Sequence, residues 1–334
     1  MKASPLFSIR SLRFAYQQNE VLKVDSLDFG ANQVIVLAGG NGSGKTTFLK
    51  LLNGLLQPTS GDIFYCGESL KRGGCSRIRS ESVLVHQNPY LFSGSVYQNV
   101  AYGLKIRKTA AEIIRKKVTE KLALIGLGGL AHRKAHELSG GEKQRLGIAR
   151  AIVLEPRILL LDEPTANVDP DSTRLIESLV LKFARSSTTV IMSSHNLGFA
   201  YRLCTQLIHL EEGRVVPNRV NIFKGRVVKQ DDRFTYFKTG RRQLHCPAQA
   251  GEFTTAVLPM DDVILSENPI HTSAQNSFLG RVKGIERVDH LYRVGLDCGF
   301  RVQAHITEYS LERLNVKFEK EFHVTFKAAA IKLY

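Results

Sequence analysis

The sequence predicts an α/β domain built on a parallel sheet, followed by a smaller all-β, barrel-like domain. Three observations carry this expectation. The apolar run VIVLAG leads into Gly39-Gly40-Asn41-Gly42-Ser43-Gly44-Lys45-Thr46 and then FLKLLNGLL, which reads as strand, glycine-rich turn and helix. Far downstream, the apolar run 158–161 ends in Asp162 and Glu163, a short buried strand capped by two carboxylates. Beyond residue 219 the texture changes to short alternating runs such as FTYFKTG and EFHVTF, and NIFKGRV at 221–227 returns as NSFLGRV at 276–282.

At 334 residues the chain is long enough for two compact units, expected here as 1–218 and 219–334. No apolar run approaches the ~20 residues that cross a bilayer. The opening MKASPLFSIR lacks the apolar core of a secretory signal. Five scattered cysteines with no CxxC pair read as reduced thiols, not a disulfide framework or a zinc site. The formal charge of +15 is spread over both halves. Without an aromatic-interleaved basic stripe beside it, that charge suits nucleotide phosphates and an adjacent anionic surface better than nucleic acid.

The glycine run fits G-x-x-x-x-G-K-[ST], a loop whose backbone N–H groups close around phosphate oxygens at a helix N-terminus. Residues Gly39, Gly40, Asn41, Gly42, Ser43, Gly44, Lys45, Thr46 and Thr47 are therefore expected to bind a nucleotide. Lys45 would reach the outer phosphates and the Thr46 hydroxyl would ligate Mg²⁺. Asp162, at the end of the second apolar strand, suits the same metal, and Glu163 beside it could polarise an attacking water.

Between these two runs lies LSGGEKQRLGIARAI, residues 138–152. Ser139-x-x-Glu142 is a capping box, in which a serine and a glutamate satisfy orphan N–H groups at a helix start. Taken with the flanking motifs, this run resembles the signature of ABC-type ATPases, a likeness that covers about residues 5–215. The resemblance implies an ATP-hydrolysing P-loop domain with a helical insert at about 88–140. It places Ser139 and Gly141 against ATP held by the phosphate loop of a second copy. It also implies that Tyr16 stacks on adenine, that Gln87 contacts Mg²⁺ and the attacking water, that Asp169 lies in a loop crossing the dimer interface, and that His195 bonds the γ-phosphate. One cassette per chain then means a homodimer with two ATP sandwiched between copies.

Within the insert, Ala111, Ile114, Val118, Leu122 and Ile125 recur at helical spacing. In the family this region receives a cytoplasmic helix of transmembrane permease subunits, with an external solute-binding protein acting indirectly. The expected location is peripheral, on the cytoplasmic face of the membrane. VYQNVAYGLKIR resembles the ATPases of solute importers, whereas a soluble ATPase acting on nucleic acid is the rival class.

The C-terminal runs TSAQNSFLGRVKGI, AHITEYSLERL and FKAAAIKL resemble the molbindin-like, TOBE-type domain of molybdate and tungstate importers. By that resemblance Ser273, Gln275, Asn276, Thr307, Ser310 and Lys327 would bind a tetrahedral oxyanion through hydroxyl and amide donors and one cation. Gln275 stands where the family carries an arginine, which removes a charge-assisted bidentate donor. Tungstate or molybdate is the expected solute. Sulfate, polyamine and sugar importers, which also carry C-terminal β-domains, are the alternative.

Overall fold

The computed structural model describes residues 4–72, 74–166 and 168–334. The chain divides into two compact units, Met1–Val216 and Pro217–Tyr334.

In the first unit, strands β1 (Phe7–Tyr16) and β2 (Asn19–Phe29) form an antiparallel hairpin, and β3 (Val34–Ala38) is the strand before the glycine run. Helix α1 (Lys45–Leu52) follows, then β4 (Ser60–Tyr65), β5 (Glu68–Ser69), α2 (Gly74–Glu81) and β6 (Ser82–Val85). The insert contributes α3 (Val96–Ile106) and α4 (Ala111–Leu124), and α5 (Gly140–Ile152) carries the signature run. The unit closes with β7 (Ile158–Leu161), α6 (Pro170–Arg185), β8 (Thr189–Ser194), α7 (Leu197–Leu203), β9 (Gln206–Glu211) and β10 (Arg214–Val216).

All ten strands join one sheet in the order β5-β4-β1-β2-β10-β9-β3-β8-β7-β6. Strands β9, β3, β8, β7 and β6 run parallel, and β3, β7 and β8 are buried along their whole length. Helices cover both faces of such strands, which is why they read as continuous apolar runs. The antiparallel wing packs Phe7, Phe29, Tyr65 and Phe48 into one core. In α4 the helical spacing buries Ile114, Val118 and Leu122, with Ile125 beneath its C-terminus. Ala111 differs: as the first helical residue it stays exposed.

The second unit is β-rich, with one short α-helix and two single-turn 3₁₀ helices. It contains β11 (Val220–Lys224), β12 (Arg226–Gln230), β13 (Phe234–Thr239), β14 (Arg242–Pro247), β15 (Thr255–Pro259) and β16 (Ile264–Ser266). Then come β17 (Asn276–Val288), β18 (Leu291–Asp297), β19 (Arg301–Ile306), α8 (Glu308–Arg313), β20 (Glu321–Phe326) and β21 (Lys332–Leu333). The alternation noted in the sequence places Phe322, Val324 and Phe326 of β20, and Ala328 just beyond it, in the core.

The two copies of the repeat occupy matching places. The first breaks at Gly225 into β11 and β12, while the second continues through β17. Asn221 takes the N–H of Gln303 on its Oδ1 at 2.7 Å and donates to the Gln303 carbonyl at 2.8 Å. Asn276 does the same to His245, at 2.8 and 2.9 Å. Each half thus grips a strand of the other through one buried amide. Last strands are also exchanged: β16 of the first half pairs with β20, and β21 of the second pairs with β15.

Candidate functional site

The strand-turn-helix around Lys45 forms the first wall of the site. Gly44, the N-cap of α1, has φ 96°, in the left-handed region that a side chain at this position would strain. A cavity of about 310 Å³ is lined by Val21, residues 41–47, Gln87 and Glu163. Lys45 is buried and donates to the carbonyls of Gly39 and Gly40, both at 2.9 Å, with its Nζ 3.4 Å from Glu163 Oε1.

Parallel pairing of β7 with β8 supplies the second wall, because Leu161 lies opposite Met192 and the residues after each emerge side by side. Asp162 accepts the Thr46 hydroxyl on both oxygens, at 3.0 and 2.8 Å. Glu163 has φ 45° and a nearly buried carboxylate. Its Oε2 lies 2.9 Å from His195 Nδ1 and accepts the His195 backbone N–H at 3.3 Å. The site therefore joins Lys45, Thr46, Asp162, Glu163 and His195 directly, with Gln87 exposed on the same cavity.

The residues present fit a nucleotide and its metal. Ser43 Oγ is buried with no hydrogen-bond partner among the described residues, an orphan hydroxyl inside the cradle. A partner such as a phosphate oxygen would satisfy it. The hydroxyl of Thr46 and the carboxylate of Asp162 are hard oxygen donors, the kind Mg²⁺ takes.

Tyr16 lies apart from this cluster, at the end of β1. Its ring packs edge-on to Phe14 at 4.8 Å and is 46% exposed, which leaves a face open. Ser139 is the N-cap of α5. Its Oγ accepts from Glu142 N–H at 3.3 Å and its N–H donates to Glu142 Oε2 at 2.8 Å, the reciprocal capping box. That N–H holds the Glu142 carboxyl below its ordinary pKa. Asp169 caps α6 by accepting the Ser172 N–H at 2.8 Å, which lowers its pKa in the same way. Gly141 has no room for a side chain, since a Cβ there would fall 2.5 Å from Asp169 Oδ2. Ser139, Gly141 and Asp169 thus form a second group at the starts of α5 and α6, and Ser139 is exposed.

Three side chains that the sequence reading did not single out shape these groups. Ser193 binds both acidic residues; its only signal was a polar pair closing an apolar strand. Asn99 is buried, accepts the Phe92 N–H at 2.9 Å and donates to the Phe92 carbonyl at 3.0 Å. Arg150 of α5 donates to the Tyr90 carbonyl and lies 4.4 Å over the Phe92 ring. Asn99 and Arg150 border a groove of about 380 Å³ whose rim includes Tyr90, Tyr102 and Ile106. Tyr90 is 81% exposed there.

The six residues expected to meet an oxyanion make the following hydrogen bonds. Asn276 is buried, and its amide accepts the His245 N–H and donates to the His245 carbonyl. Thr307 caps α8: it accepts the Ser310 N–H at 3.2 Å and donates to the Ser310 hydroxyl at 3.1 Å. Gln275 donates to the Ser273 carbonyl at 2.5 Å and accepts the Ala328 N–H at 3.3 Å, next to Lys327. No hydrogen bond among the described residues joins the Thr307–Ser310 pair to the group of Ser273, Gln275 and Lys327.

Comparison with known proteins agrees with this geometry. Residues 22–166 match the ABC transporter family and residues 272–333 match the TOBE domain. The chain is 38% identical over 209 residues to the tungstate uptake system ATP-binding protein of Peptoclostridium acidaminophilum, covering 62% of this chain and 95% of that protein. It is 32% identical over 328 residues to the molybdate/tungstate import ATP-binding protein of Pyrococcus abyssi, covering 92% and 94%. Among solved structures, cbiO1 of Clostridium perfringens, part of an ABC transporter complex, superposes with a TM-score of 0.59 at 33% identity, over 64% of this chain and 87% of that one. A phosphate loop, its paired carboxylates and a capped signature helix, on a chain that matches such relatives nearly end to end, make this protein a member of the ABC transporter family: a nucleotide-binding subunit whose ATPase activity drives transport.

Proposed function

We propose that this chain powers an importer of tungstate or molybdate. The observation that carries the reading is likeness over both units, C-terminal β-domain included, to a molybdate/tungstate import ATP-binding protein. The phosphate loop and Tyr16 bind ATP, and Lys45 leaves its loop carbonyls for the outer phosphates. Thr46, Asp162 and Gln87 hold Mg²⁺, which when bound supplies positive charge beside the phosphates. Glu163 accepts a proton from the attacking water, and His195 fixes the Glu163 carboxylate.

Two copies close head to tail, so that Ser139 and Gly141 of one complete the site of the other, with Asp169 at the seam. The exposed N-terminus of α5 supports this, because the positive end of a helix dipole attracts phosphate. The groove at Tyr90, Tyr102 and Ile106 receives a permease helix, which places the protein on the cytoplasmic face of the membrane. The external binding protein acts through that permease. Within the β-domain, Ser273, Gln275, Asn276, Thr307, Ser310 and Lys327 are the residues that an oxyanion would meet.

The test is uptake of radiolabelled tungstate and molybdate in cells whose own copy is replaced by wild type or Glu163→Gln. Uptake restored by wild type alone, with Glu163→Gln accumulating as an ATP-bound dimer, is the expected result. Normal turnover by Glu163→Gln would remove Glu163 as the base; uptake of neither oxyanion would remove the solute.

A further inference from the structure

Ser193 is the penultimate residue of β8, in the run TVIMSS, and is 0% exposed. Its hydroxyl donates to Asp162 Oδ1 at 2.7 Å and accepts the Glu163 N–H at 2.8 Å. A single buried oxygen therefore contacts both adjacent acidic residues, one through its side chain and one through its backbone. Thr46 holds the same Asp162 carboxylate from the helix side. The carboxylate plane is fixed from two directions.

The Glu163 N–H has a particular need of this partner. Glu163 lies beyond the last residue of β7 with φ 45°, and its N–H is taken by the Ser193 hydroxyl. A buried N–H without an acceptor is costly. A non-glycine residue held in the left-handed region persists only where its surroundings fix it. The Ser193 hydroxyl and the Glu163 carboxylate contacts to Lys45 and His195 do so together.

We propose that Ser193 is a positioning residue for ATP hydrolysis. It orients the Asp162 carboxylate and anchors the peptide between Asp162 and Glu163, keeping the metal carboxylate and the base in fixed register. It acts through those two residues, so the inference rests on the roles given to them above. The preceding side chains of the strand, Val190, Ile191 and Met192, are apolar and buried, whereas Ser193 brings a hydroxyl to the two acidic residues.

The experiment compares full-length wild type with Ser193→Ala and Ser193→Thr, and carries Glu163→Gln alongside. Ser193→Ala is expected to lower kcat about 10- to 100-fold, as happens when a group orienting a metal-bound carboxylate is lost. Its KM for ATP at saturating Mg²⁺ should change little, and its melting temperature should fall modestly, since the Glu163 N–H loses its acceptor. The Mg²⁺ concentration needed for tight binding of a fluorescent ATP analogue should rise, a readout that needs no turnover. Ser193→Thr, which keeps the hydroxyl, should recover both properties. Wild-type turnover by Ser193→Ala would overturn the proposal. So would a loss of kcat that tracks lost stability while the Mg²⁺ dependence stays unchanged. Full turnover by Glu163→Gln would instead locate the failure in the base assignment.

Discussion

Thr46 Oγ1 lies 2.8 Å from Asp162 Oδ2, although 116 residues separate them in the chain. The hydroxyl starts a helix and the carboxylate ends a strand, and the parallel sheet brings the two ends to one edge. The bond joins the two hard-oxygen groups expected to share one metal, in advance of any ligand.

Asp162→Asn keeps the shape of this contact and removes its charge. The affinity for Mg²⁺ in nucleotide binding should fall about 10- to 100-fold, with ATP binding in the absence of metal nearly unchanged. Titrating Mg²⁺ against a fluorescent ATP analogue checks this. An unaltered Mg²⁺ requirement would place the metal elsewhere.

The amide clamps of the second unit make a paired prediction. Asn276→Ala strips partners from the His245 backbone, and Asn221→Ala does the same at Gln303. Each loss should cost about 1–3 kcal/mol, the usual penalty for polar groups left unsatisfied on burial. Urea unfolding should show similar losses for the two variants, with ATP binding intact. A neutral result at either position would end the equivalence drawn between the halves.

Arg150 is part of the groove wall through its bond to the Tyr90 carbonyl and its stacking on Phe92. Arg150→Ala should lower stability by about 1–2 kcal/mol, since a partly desolvated cation–π contact reaches that range. It should also speed hydrogen exchange in segment 89–95, while Asn99 still holds Phe92. Oxyanion uptake should fall further than the ATPase activity of the isolated chain. Equal losses in both would argue against a role at the permease.

Acid should weaken particular turns before the core. The Phe234 N–H, with help from that of Arg233, holds Asp231 at about 2, and Glu142 and Asp169 are likewise below their ordinary values. All three shifts are downward, so the stability they contribute is present above the unfolded carboxylate pKa of about 4 and is lost as pH falls below it. Thermal melts of Asp231→Asn should therefore lose part of the decline seen between about pH 4 and pH 2. A decline identical to wild type would mean that the Asp231 turn contributes nothing to folding.

The sequence alone was enough for the phosphate loop, the paired carboxylates, the signature helix and its capping box. These are local: a strand, a turn and a cap each fit within about ten residues, so their chemistry is spelled in order. The repeat was legible too, as seven residues, but what it builds was not. That Asn276 grips the His245 backbone depends on a strand 31 residues away, in another sheet, which only the tertiary fold brings to it.

The same limit applied to Ser193, an unremarked polar residue until β7 and β8 aligned it with Asp162 and Glu163. Residue types and short spacings by themselves determined that this chain binds a nucleotide and repeats a β-unit. Only the tertiary structure decided which polar groups still have donors or acceptors to offer, because hydrogen bonds between distant segments settle that by geometry.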